Sequence, residues 1–319
     1  VEWSTWVKVD VTDIEAAGKR LTGVAVRTPL LQLHGTDDIW IKPEVLQPVG
    51  SFKVRGAYNA LALMAAEGGL SEACTLSAGN MSQAVAWSAG KLGLKSTAIM
   101  PEGAPQAKID ATSSYGAAVE FIPRDQMFVA MQDGRFNDRQ GFVHPFADPR
   151  VAAGNGTVGL EILDDLSDVD TIIVPVGGGG LLLGIATAIK ATRPDVRVFG
   201  VQPEGCAALA ASLDAGKAVT VACDSFVDGA GSPVVFADTF PALQRLVDGC
   251  LIVSDDATRA AIFRIAMRNK IVPEPAGAMA VAAALAMPDE ERGKTVCVIS
   301  GGSINPVLLA EVLAGGSGK

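Results

Sequence analysis

The chain has 319 residues, 49% hydrophobic and 19% charged, with a mean hydropathy of +0.32. That is too apolar for a disordered chain, and it is enough to bury one large core or two ordinary ones. With 26 basic against 35 acidic residues the net charge is −9. No Lys/Arg block stands out, so neither nucleic acid nor an anionic membrane surface is an expected partner, and a small molecule is.

The opening VEWSTWVKVD has neither a basic start nor an apolar run, so no signal peptide is expected and a cytoplasmic location follows. Strand-like and helix-like segments then alternate from about residue 39. A strand end at 75–77 leads to a helix over 83–92, with Val85, Ala86, Ala89 and Leu92 on one face. A strand over 96–100, a helix over 108–115 and a strand over 117–122 follow. The uncharged run 171–189 contains Pro175 and four consecutive glycines, so it reads as strand, turn and helix, not as a membrane span. With a strand over 196–201 it forms a β-α-β unit, and a last strand at 296–300 precedes a helix from about Pro306. Residues 276–287 are nearly all small and apolar, which suits a buried helix, and only the final GGSGK reads as a loose tail. The alternation predicts an α/β fold with mostly parallel sheets. The cysteines, Cys74, Cys206, Cys223, Cys250 and Cys297, form no CxxC and only His34 and His144 accompany them, so reduced thiols and no zinc site are expected.

Four segments have the makings of a site. In PVGGGGLLLGIA (175–186) a strand, glycines and a helix start offer free N–H groups to an anion, and a phosphate fits. The segment contains neither GxGxxG nor a Gly-Lys-Ser/Thr ending, which argues against a nicotinamide-dependent dehydrogenase and a P-loop. Lys53, in GSFKVRGAYNAL, falls where a helix begins, an unfavourable place for a charged amine. Arg55 is expected on another face, as a surface or ion-pair residue. LSAGNMSQA (76–84) and VISGGSIN (298–305) each open from a strand end into small polar residues, where ligands of open α/β sheets sit.

Together these segments resemble the fold-type II pyridoxal-phosphate enzymes, in the branch of threonine/serine dehydratases and serine racemases. The motifs that carry the resemblance are SFKxRGA at 51–57, SxGN at 77–80, AGxGT at 153–157, GGGG at 177–180, EPAGA at 274–278 and SGG at 300–302. The resemblance, over about 24–313, implies two open, mostly parallel twisted sheets with flanking helices, tryptophan synthase β-like. It implies a small domain at 71–149, a large one made of 1–70 and 150–319, and a homodimer. It also implies that Lys53 forms the Schiff base with pyridoxal 5'-phosphate, Phe52 lies against the ring and Asn80 bonds its phenolic oxygen. Gly177, Gly178, Gly179, Gly180 and the Leu181 N–H would hold the phosphate, Ser300 would face the pyridine nitrogen, and Gly229 and Glu274 would line the cofactor. Ser77, Ala78, Asn80 and Met81 would hold the substrate, with Lys53 and Ser77 as catalytic residues.

A serine hydroxyl opposite the pyridine nitrogen makes the ring a weaker electron sink than an aspartate would, which suits prompt β-elimination. The implied reaction removes water from a hydroxy amino acid of the L-threonine/L-serine type, giving a 2-oxo acid and ammonia. Ala78 stands where racemases of the branch carry a second serine, and Met81 where a histidine is usual, so 3-hydroxyaspartate and phenylserine remain alternative substrates. A racemase, a β-replacement enzyme and a non-catalytic binding protein rank below. Gln202 and Ala208 replace the carboxylates of the family's divalent-metal site, so no metal is expected. Because the chain ends soon after its last strand, no C-terminal effector domain and no isoleucine feedback are expected.

Overall fold

The computed structural model describes residues 8–315. The opening segment with Trp3 and Trp6, and residues 316–319 of the tail, lie outside the described residues. Among the described residues nine strands form in chain order: β1 (Leu31–Gln32), β2 (Ile39–Pro43), β3 (Glu72–Leu76), β4 (Lys95–Pro101), β5 (Ala118–Ile122), β6 (Thr171–Pro175), β7 (Arg197–Pro203), β8 (Gly249–Val253) and β9 (Thr295–Ile299). β3, β4 and β5 make a three-stranded parallel sheet. The other six are ordered β1-β2-β9-β6-β7-β8, parallel except for the β1–β2 pair. The central strands β6 and β9 are buried at every position, as expected of parallel strands covered by helices on both faces. The α/β class with two mostly parallel sheets is as the sequence indicates. Among the described residues no helix is long and apolar enough to cross a membrane.

The Ala-rich stretch is the helix Pro275–Ala286, buried from Pro275 to Ala284 and packed with Ile39, Ile41, Ile173, Cys297 and Ile299. A helix that the sequence periodicity did not reveal, Pro149–Asp165, carries the AGNGT motif. Its glycines serve packing. A Cβ on Gly154 would stand 2.8 Å from Gly56 Cα, and one on Gly156 would stand 2.8 Å from the Gly184 carbonyl. The helices Lys53–Ala66 and Gly180–Thr192 therefore meet Pro149–Asp165 backbone against backbone.

Of the two expectations for Arg55, surface or ion-pair residue, the structure shows the ion pair: it is 1% exposed and donates to Glu44 at 2.7 Å and to Glu161 at 2.6 Å. Lys42, equally buried, reaches Glu161 at 2.8 Å and the Thr28 carbonyl at 2.7 Å. Two cations thus face two carboxylates. Burial alone would raise the Glu44 carboxyl, but the Arg55 guanidinium and the Thr28 hydroxyl hold it below its ordinary value. The reduced-thiol expectation fails for one pair, since Cys206 and Cys223 are joined as a disulfide with Cα atoms 4.4 Å apart. The loop at 217–227 folds back on the turn after β7 and brings them together, an approach that spacing could not show. Cys74 and Cys297 are buried free thiols, and burial pushes both up.

Replacing Arg55 with Ala leaves Glu44 buried without its cation. Arg55→Ala is expected to lose about 3–5 kcal/mol of stability in a denaturant titration. A loss below about 1 kcal/mol would show that the network contributes little.

Candidate active site

Lys53 is the first residue of its helix, and the chain entering it is tied to the end of β9. Ser51 bridges Gly301, the Phe52 N–H donates to the Ser300 carbonyl at 3.0 Å, and the Gly302 N–H donates to Gly50 at 2.9 Å. The lysine Nζ donates to the Pro145 carbonyl at 3.0 Å, 5.1 Å from the Phe52 ring centre and 4.8 Å from that of Phe146. Burial lowers this amine to about 8, against the opposing pull of the Glu274 carboxylate. The positive end of the helix acts in the same direction as burial.

The glycine run closes β6 and starts the next helix. Gly179 has φ +98°, a left-handed conformation that glycine adopts without a steric penalty. No side chain caps this helix, so its first N–H groups at Gly180 and Leu181 are left for an anion. Phe146 forms the neighbouring wall: a Cβ on Gly178 would overlap its ring, and one on Gly180 would lie 2.8 Å from its carbonyl oxygen. Gly177 approaches Gly229, which in turn packs against the Glu274 carboxylate.

The third component opens from β3. The Gly79 N–H donates to Ser77 Oγ at 3.2 Å, and a helix begins at Asn80. Asn80 Nδ2 donates to Glu274 Oε1 at 2.9 Å, while its Oδ1 accepts from Ser303 Oγ at 2.7 Å. Burial raises Glu274 to about 7, opposed by the Asn80 bond. Ala78, in the same turn, brings no proton-carrying group. Met81, expected beside the substrate, is 2% exposed and packs with Val54, Ala57 and Val85. Its side chain belongs to the core behind the turn, because the helix starting at Asn80 rotates it inward.

Contacts therefore join Lys53 to the glycine turn through Phe146, and the glycine turn to Asn80 through Gly229 and Glu274. Ser300 is placed at the end of β9 behind Phe52. Sequence reasoning missed the turn His144-Pro145-Phe146, although one of only two histidines, followed by proline, could have drawn attention to it. Gln202 is occupied structurally: its Oε1 accepts from the Leu209 N–H at 2.7 Å and its Nε2 donates to the Val176 carbonyl.

These groups suit a phosphorylated aldehyde. Uncapped N–H groups match the phosphate, a buried amine of lowered basicity matches the carbonyl, and the side chains of Asn80 and Ser300 offer polar groups for a ring. The fold and site define a class, α/β proteins with a buried lysine of lowered basicity beside an uncapped helix start. Residues 21–302 match the family model described as "Pyridoxal-phosphate dependent enzyme". The chain is 40% identical over 314 residues to the L-threonine ammonia-lyase of Geobacter sulfurreducens, covering 96% of this chain and 78% of that one. The crystal structure of T.th. threonine deaminase superposes with a TM-score of 0.84 at 35% identity, covering 93% of this chain and 99% of that one. Maize serine racemase superposes at 0.87 with 29% identity, covering 96% and 97%. This chain belongs to the pyridoxal-phosphate-dependent enzyme family, and pyridoxal 5'-phosphate is its cofactor.

In the protein stripped of cofactor, Lys53 is expected to react with an amine-labelling reagent with a midpoint near pH 8, well below the ordinary 10.5. A midpoint above 10 would contradict the burial of this amine. Gly178→Ala is expected to weaken pyridoxal phosphate binding by roughly 10- to 100-fold, from overpacking of about 1–3 kcal/mol against Phe146. A fluorescence titration of the stripped protein measures it.

Proposed function

We propose that this chain is a threonine/serine ammonia-lyase, removing water from L-threonine or L-serine to give a 2-oxo acid and ammonia. The observation that carries the reading is Lys53, an amine of low basicity held between a carbonyl and two aromatic rings beside an uncapped glycine turn. The similarity to L-threonine ammonia-lyase over nearly the whole chain supports it.

Pyridoxal phosphate, when bound, supplies a carbonyl that takes up the substrate amine and a ring that withdraws electrons from Cα. Gly177, Gly178, Gly179, Gly180 and the Leu181 N–H would hold its phosphate. Phe52, Asn80 and Ser300 would hold its ring, with Gly229 and Glu274 lining the site. Lys53 would hold the cofactor through its amine and would take the Cα proton as general base. A group already near neutrality is suited to both roles. Ser77 and the backbone at Ala78, Asn80 and Met81 hold the substrate carboxylate.

Racemisation needs a second proton carrier, and Ala78 supplies none, so elimination is favoured over the racemase reading. 3-Hydroxyaspartate and phenylserine are the alternative substrates. Residues 71–149, which contain the three-stranded sheet and the Ser77 turn, form a small domain beside a large one made of 1–70 and 150–319. A cytoplasmic homodimer without a bound metal completes the proposal.

The test is 2-oxo acid release from L-Thr, L-Ser, D-Ser, both 3-hydroxyaspartate diastereomers and 3-phenylserine. Release is expected from L-Thr or L-Ser and is abolished by Lys53→Ala. Silence across the panel from a cofactor-loaded protein would refute elimination, and release surviving in the variant would refute the role of Lys53. Ser77→Ala is expected to raise KM about tenfold or more, the order of one lost hydrogen bond to a carboxylate.

A further inference from the structure

We propose that His144 is a positioning residue for Lys53, holding the 144–147 turn so that one short segment aligns both the lysine and the phosphate-binding glycines. The proposal rests on Lys53 as the cofactor-bearing residue, and its test reads Lys53 and cofactor binding separately from substrate turnover.

The argument begins with the imidazole. Two backbone donors converge on Nδ1, the Phe146 N–H at 3.1 Å and the Ala147 N–H at 2.8 Å. A nitrogen that accepts from both carries no hydrogen, so the ring proton sits on Nε2 and is donated to the Met131 carbonyl at 3.2 Å. One neutral tautomer satisfies all three contacts. Protonation of Nδ1 would oppose two donors with a third. Burial holds the imidazole neutral by lowering it to about 4, with Asp148 opposing and Lys53 assisting as the charged groups that act on it.

The turn held in this way has two working ends. The Pro145 carbonyl accepts from Lys53 Nζ. The Phe146 ring lies 4.8 Å from that same Nζ and forms the wall against Gly178, while the Phe146 backbone faces Gly180. Phe236 braces the arrangement, with its ring 5.0 Å from the imidazole, edge to face, and 5.5 Å from Phe146, stacked. Met131 belongs to the helix Gln126–Asp133, whereas Phe236 lies between β7 and β8. His144 therefore ties segments from both sheet regions to the turn that Lys53 touches. Its contacts reach the lysine through Pro145 and Phe146, so it acts through them and not on the reacting atoms.

Two variants separate this role from general support. His144→Asn can place an amide oxygen where Nδ1 accepts. His144→Leu can place none and leaves the Phe146 and Ala147 N–H groups without that partner. In the stripped full-length protein, His144→Leu is expected to move the Lys53 labelling midpoint up by a unit or more and weaken pyridoxal phosphate binding tenfold or more. His144→Asn should keep both within about threefold of the parent. In turnover the Leu variant should lose kcat more than it raises KM, with Asn restoring most of the loss. A folded Leu variant with unchanged midpoint and affinity overturns the proposal, as does a folded Asn variant that fails like Leu. Where a variant does not fold, the unmodified holoenzyme still decides. Nitrogen NMR of His144 must show an Nε2–H tautomer with Nδ1 as acceptor at pH 7, and a charged ring or an Nδ1–H tautomer overturns the proposal. If the panel shows no elimination while the labelling and binding results hold, the proposed reaction fails and the positioning role stands.

Discussion

The site depends on three helices meeting backbone to backbone. Gly56, Gly154, Gly156 and Gly184 leave no room for a Cβ where Lys53–Ala66 and Gly180–Thr192 cross Pro149–Asp165. The first residue of one of these helices is Lys53, and the first turn of another is the uncapped end of the glycine run. Any side chain at the crossing would push the two helix starts apart and misplace the amine relative to the uncapped N–H groups. Close-packed interiors transmit such displacements because they have little slack to absorb them.

Burial has opposite consequences at two places a few residues apart. Around Arg55, carboxylates and cations are paired, Glu44 is held below and Arg55 above its ordinary value, and the network is a fixed strut. At Lys53 and Glu274 the matching is incomplete. Lys53 faces a carbonyl and two rings, and Glu274 faces an amide, so burial brings one down to about 8 and the other up to about 7. Groups poised near neutrality exchange protons readily, which is the property a general base requires. The same desolvation makes a strut where partners are complete and reactive groups where they are not.

The Ser77–Asn80 turn has a different character. It leaves β3, in the three-stranded sheet, and it reaches the rest of the site through Asn80, Glu274 and Ser303 and through Met81, which packs with Val54 and Ala57 of the Lys53 helix. Side-chain hydrogen bonds and apolar packing between helices, rather than a shared strand or helix, join the two sides.

Much of this was legible in the chain itself. Period and turn chemistry located β4, β6, β7 and β9 and the helices after β4, β6 and β9, because parallel strands buried on both faces read as short apolar runs between glycine- and proline-marked breaks. The glycine run announced an anion site by composition alone, and Lys53 drew attention by occupying a helix start. Local sequence could not show which distant segments meet. Arg55 read as either a surface or an ion-pair residue until Glu44 and Glu161 closed around it, Met81 looked like a pocket wall until its helix turned it inward, and Cys206 looked isolated until the 217–227 loop returned to it. His144 carried no local signal beyond its rarity, since its meaning lies in carbonyl and N–H groups that only the folded backbone brings to the ring. The residue types and their order determined the cofactor chemistry, because anion binding at a helix start and a lone reactive amine are local properties. The tertiary structure decided which groups are charged, which are buried and what holds the lysine in place, because those depend on partners far away in the chain.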